Sequence, residues 1–207
     1  MTRDDLLELV TTSFSQRAEA TQGGFLICHT PRIGDLAYLG RVFDPIPAAR
    51  VRDWSGRTPR SGNPYFSFVT EVANGLRIAN LDLFGVVEQL DRSVEGIGQP
   101  ISLYYGNLVA RPANLDDSDM VIGGMVGWSS RGAFVMRHDG SVCLVHSADG
   151  SDVADEWPDL EHMLQAELGR LGALHDADGY ELSSATELMH ANGRRWETEI
   201  EPGSTTH

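Results

Sequence analysis

MVIGGMVGWSSRGAFVMRHDGSVCLVHS, residues 120–147, sets two β-rich runs on either side of Asp139-Gly140. An Asp-Gly pair in this setting predicts a two-residue hairpin loop, because both positions take φ > 0 and the type I′ turn matches the twist of paired strands. With that loop, His138 pairs with Ser141, Met136 with Cys143 and Phe134 with Val145, and these six share one face. The other face then holds Val135, Arg137, Val142, Leu144, Ala133 and His146. Both faces are apolar near the middle, which suits a central hairpin covered on both sides. A third run, Val121 to Trp128, joins through the polar turn Ser129-Ser130-Arg131-Gly132. The segment therefore reads as a meander of at least three antiparallel strands.

Downstream, Asp149 to Glu156 reads as an acidic connector. The strongest helix signal in the chain opens at Pro158: Leu160, Leu164, Leu168 and Leu171 fall a turn apart, with Trp157 at the entry and Gly172 at the end. Ser184 and Glu187 have capping-box spacing for a short helix stopped at Asn192-Gly193, after which RRWETEI reads as a strand and PGSTTH as a tail.

Upstream, residues 4–20 carry Leu6, Leu7, Val10 and Phe14 at helical spacing, capped by Thr2 or Asp4 and ended by Gly23-Gly24. GFLICHT follows as a strand. Residues 31–62, rich in Pro and Arg, predict a short helix near 33–40 and then an irregular loop, the place of an insertion. Asn63-Pro64 opens a helix with Tyr65, Phe66, Val69 and Val72 as its buried stripe, and Asn74-Gly75 closes it. GLRIANLDLFGV reads as a strand ending at Gly85, residues 86–94 as a short helix, and Ile101 to Val109 as a strand.

Composition narrows the function class. With 207 residues and 41% apolar content the chain is long enough for a substantial core. No apolar run approaches the ~18 residues that span a bilayer, and MTRDDLLELV opens on acids where a secretory signal is basic and then apolar, so a cytoplasmic protein is expected. Cys28 and Cys143 have neither disulfide-framework nor CxxC spacing and read as buried thiols. The net charge is −14, and every one of the 16 basic residues is arginine. Residues 1–60 hold 8 Arg against 7 acids, whereas residues 61–207 hold 8 Arg against 23 acids. That balance disfavours direct contact with nucleic acid or an anionic membrane, which need clustered positive charge, and suits a basic protein partner.

Catalytic and metal-binding patterns do not assemble. His138 and His146 fall on opposite faces of the hairpin, so one ion is not held by both, and Cys143 has no base in reach except a diagonal His138. GGMVG at 123–127 lacks the GK[ST] ending of a phosphate loop and precedes a strand. GxSxG and HExxH are absent, and His162 beside Glu161 reads as solvated. Asp116, Asp117 and Asp119 lack the spacing and distal Glu of a calcium loop, and read as a solvated turn or a protein contact.

The order of these elements resembles the SUKH superfamily and, within it, the SMI1/KNR4 (cell wall assembly regulator) type. Pro64, Tyr65, Phe68, Asn74 and Gly75 are similar to the family helix, although Asn63-Pro64 stands where Leu-Pro is common. Leu83, Phe84 and Gly85 look like its next strand, Ile122-Gly123 and the Gly140 hairpin like its later sheet, and Trp157 to Leu168 like its closing helix. The likeness covers roughly residues 60–170. It implies an α+β fold, a mainly antiparallel β-sheet meander with helices packed around it, and no enzymatic activity. Bacterial members commonly neutralise a cognate toxin, often a nuclease, and fungal relatives act as scaffolds.

The organisation expected is a single domain over 1–207, with a SUKH-like core about 60–175, an N-terminal helical extension over 1–60 and a C-terminal extension over 176–207. The function expected is that of an immunity protein binding a basic toxin domain, with a scaffold or an enzyme of unrecognised type as the alternatives. Candidate contacts are Asp116, Asp117 and Asp119 with Trp128 and Trp157, aromatic anchors amid acids. No catalytic, cofactor-binding or metal-ligating residue is expected.

Overall fold

The computed structural model describes residues 1–34, 38–55, 62–87, 98–125, 132–145 and 150–182. Its frame is a nine-stranded, wholly antiparallel sheet in which every strand lies beside its neighbours in sequence. The strands are β1 (Arg17–Thr21), β2 (Gly24–Cys28), β3 (Tyr38–Phe43), β4 (Leu76–Ile78), β5 (Leu81–Leu83), β6 (Met120–Met125), β7 (Ala133–Met136), β8 (Val142–Val145) and β9 (Val153–Trp157). Helices flank and interrupt the meander: α1 (Arg3–Ser13) precedes it, α2 (Ala48–Ser55), α3 (Tyr65–Ser67, continuing as a wide turn over Phe68–Val72) and α4 (Leu103–Leu108) lie within it, and α5 (Leu160–Gly172) follows it. This is an α+β fold.

The sheet has two unlike faces. On the inner face Ile27, Val42, Leu76, Leu81, Phe134 and Leu144 meet Leu6 and Val10 of α1, the aromatic residues of α3, and Leu164, Leu168 and Leu171 of α5 in one core. On the outer face Val121, Val135, Cys143 and Val145 form a smaller cluster with Phe84, Leu115 and Ala133. Thr2 and Asp5 close a capping box on α1, and Asp159 caps α5 by accepting the His162 N–H at 2.9 Å.

The central hairpin forms, one residue out of the expected register. Phe134 pairs with Leu144 and Met136 with Val142, because the loop has three residues, His138 to Gly140. Asp139 keeps a negative φ, Gly140 alone takes the left-handed conformation at φ +91°, and its N–H bonds the Arg137 carbonyl at 3.1 Å. Asp139 Oδ1 accepts from Ser141 N at 2.9 Å and Ser141 Oγ at 2.7 Å, which fixes this longer turn. A one-residue slip exchanges the faces of a strand. Val142 and Leu144 therefore join the inner core with Phe134 and Met136, while Cys143 lies beside Val135.

Other expectations are corrected. The first helix stops at Ser13, and Arg17–Thr21 and Gly24–Cys28 form a hairpin closed over Gly23 at φ +83°. Residues 38–43, expected to end a short helix near 33–40 and begin an irregular loop, are β3, which joins β2 to β4; the N-terminal segment read as an extension thus supplies three strands of the common sheet. GLRIANLDLFGV folds back on itself as β4 and β5, with Ala79 at φ +50° in the turn. The acidic connector holds most of the edge strand β9, Val153–Trp157, whose charges discourage further pairing, and Ile101 to Val109 holds α4. The expected helix over 86–94 falls mostly, and the elements beyond residue 183 entirely, outside the described residues.

On the outer face Arg77 Nε donates to Asp82 Oδ1 at 2.9 Å across β4 and β5, and Asp82 is only 3% exposed. Burial raises its carboxyl above the ordinary 3.8, against the pull of Arg77. A raised folded pKa means that the folded chain holds the proton more tightly. Its contribution is therefore present below pH 3.8 and lost as pH rises through the folded value. Asp82→Asn is expected to remove that decline, so that urea titrations across this range show the variant gaining on the wild type as pH rises.

Candidate partner-binding surface

Four of the exposed large hydrophobic side chains lie on one stretch: Tyr104 at 48%, Tyr105 at 54%, Leu108 at 50% and Val109 at 66%. The chain enters it through Gly85, whose N–H bonds the Ile101 carbonyl and whose carbonyl accepts the Leu103 N–H, each at 2.8 Å. Leu103, Gly106 and Asn107 then form the buried side of α4. Gly106 is needed there, because a Cβ would lie 2.5 Å from the Phe84 ring. Asn107 docks the helix on β6: its Nδ2 donates to the carbonyls of Leu103 at 2.9 Å and Val121 at 2.7 Å, and its Oδ1 accepts the Val121 N–H at 2.9 Å. With three contacts turned inward, the two tyrosines, Leu108 and Val109 have no course but outward.

The acidic turn follows directly. Arg111 reaches back to the carbonyls of Asp116 and Asp119, and the Asp119 N–H bonds the Asp116 carbonyl at 2.9 Å. Leu115 tucks into the outer cluster, and the side chains of Asp116 and Asp117 are exposed. Asp119 is half-buried, and burial, with Asp116 beside it, raises its carboxyl above the ordinary range. Behind the turn, Arg137 pairs with Glu156 across the sheet near Cys143, whose thiol is raised by burial.

Of the expected contact residues, Asp116, Asp117 and Asp119 come together here. Trp157 does not join them: it is half-buried on the inner face, its ring 6.0 Å from that of Phe134. Trp128 lies outside the described residues. The aromatic residues that precede the acids in the chain are Tyr104 and Tyr105, which the strand reading of 101–109 concealed. Among the described residues no three His, Cys, Asp or Glu side chains are grouped to hold a metal ion, and no helix is long and apolar enough to cross a membrane.

No family model, no curated protein and no solved structure matches this chain.

Proposed function

We propose that the chain is a non-enzymatic, SUKH-type immunity protein that captures and neutralises a basic toxin domain. The observation that carries this reading is α4, where aromatic and apolar side chains of one helix face are held outward just ahead of an acidic turn in the chain. Contiguous exposed apolar surface marks contact sites, whereas scattered apolar residues carry no such meaning. Interfaces take most of their energy from a few aromatic anchors inside a polar rim. Tyr104 and Tyr105 serve as anchors, and Asp116 and Asp117 as rim. The acid excess of residues 61–207 supplies a potential that speeds encounter with a basic partner and discourages others. The resemblance described above supplies the class of partner.

A toxin gene beside this one would favour immunity and its absence a scaffold, and co-expression with such a toxin domain tests the proposal. Restored growth and an isolated complex would support it; a complex without restored growth favours a scaffold, and no complex at all overturns it. The joint substitution Tyr104→Ala and Tyr105→Ala is expected to weaken the complex by about 2 kcal/mol or more, roughly 30-fold. Thermal unfolding should barely move, since both rings are about half exposed. Asp116→Arg with Asp117→Arg should instead slow association and flatten its dependence on salt, as rim charges do.

A further inference from the structure

We infer that the inner side of the molecule holds a second, independent docking groove, which takes a short basic peptide segment with an apolar side chain between its cationic ones. The groove encloses about 410 Å³ between the wide turn of α3, the β7–β8 turn and the start of α5, within the ~300–1,000 Å³ of ordinary binding clefts. Its floor is apolar: Phe68, Val72, Met136 and Leu160, each belonging to the main core yet contributing a sliver of surface here. Its rim is acidic, with Glu71, Asp139, Asp159 and Glu161. Against these four carboxylates stands the N-terminal ammonium of Met1, already paired with Glu161 at 2.9 Å. Asp159 caps α5 and offsets the positive end of that helix.

This pairing of surfaces selects the occupant. An acidic segment would meet four like charges, and a purely apolar one would gain nothing from them. A segment alternating arginine or lysine with leucine-like residues fits both, since a long cationic side chain lays its methylenes on apolar surface and keeps its charge at the rim. The backbone agrees: the Ala73 N–H bonds the Phe68 carbonyl at 2.9 Å, five residues back, and such wide turns occur often at functional sites. No residue of α4 lines the groove, so occupation of one site does not require the other.

Fluorescence anisotropy on the full chain tests this, with labelled Leu-Arg-Leu-Arg-Leu and Leu-Glu-Leu-Glu-Leu as probes. The basic peptide is expected to bind and to be weakened by salt, and the acidic one not to bind. Glu71→Arg should weaken the basic peptide about tenfold or more, and Glu161→Gln, a second variant that leaves the floor intact, should weaken it less. Circular dichroism melts check that both variants remain folded. Tyr104→Ala with Tyr105→Ala should leave peptide binding unchanged, which separates this groove from the α4 surface. Equal binding of both peptides, binding indifferent to Glu71→Arg and Glu161→Gln, or no binding of the basic peptide overturns the inference.

Discussion

Tyr65→Ala is expected to lower the free energy of unfolding by about 4 kcal/mol, read as a shift of the urea midpoint. Tyr65 has no exposed surface, and its ring stacks on Phe68 with centroids 5.5 Å apart. Truncating such a ring costs about 3–5 kcal/mol through lost burial and the cavity left behind. Its hydroxyl donates to the Phe84 carbonyl at 2.7 Å, and burial holds the phenol well above its ordinary 10.0, so it stays protonated as a donor. Tyr65→Phe isolates that bond and should cost about 1–3 kcal/mol, because a carbonyl is left without its donor. For a domain whose whole margin is about 5–15 kcal/mol, the alanine variant approaches failure to fold. The loss would reach the other side of the sheet. The Phe84 backbone is held by Tyr65, and its ring packs on Gly106, so loosening the inner core slackens the seat of α4.

How much of this could be read in the chain follows from where its apolar residues repeat. α5 was legible because Leu160, Leu164, Leu168 and Leu171 mark one face of a helix, and the stripe of α3 because Tyr65, Phe66, Val69 and Val72 do the same. The hairpin was legible as a hairpin, but an Asp-Gly pair fixes where the chain reverses and leaves loop length open. The Asp139 side chain, bonding Ser141, decided for three residues, and with them the direction of every β8 side chain. β3 was hidden because Arg41 and Gly40 stand where a strand signal needs apolar or branched residues. Gly40 is there because a Cβ would lie 2.3 Å from the Arg77 carbonyl. The candidate surface was half legible: the acids announce themselves by composition, while their aromatic companions depend on the helical state of 103–108. That state is set by Leu103, Gly106 and Asn107, whose spacing is helical but of which Leu103 alone carries an apolar signal.

Asn107→Ala is accordingly expected to have the largest effect on function for its effect on stability. Asn107 is 2% exposed and makes three hydrogen bonds, two of them to Val121 on β6. Alanine would strand a buried N–H and a carbonyl of β6 together, at about 2–3 kcal/mol in all. The loss should be local before it is global: hydrogen exchange at the Val121 amide and across α4 should quicken, while amides of α5 retain their protection. Partner binding should fall further than in the tyrosine variants, because α4 would lose the fixed pose that holds both rings and the acidic turn in one arrangement. Asn107→Asp sharpens the test. A carboxylate still accepts the Val121 N–H but donates nothing to the two carbonyls, and it buries a charge, so this variant should be no more stable than alanine. If either variant kept full affinity with α4 exchanging freely, the poised helix would not be what the partner grips.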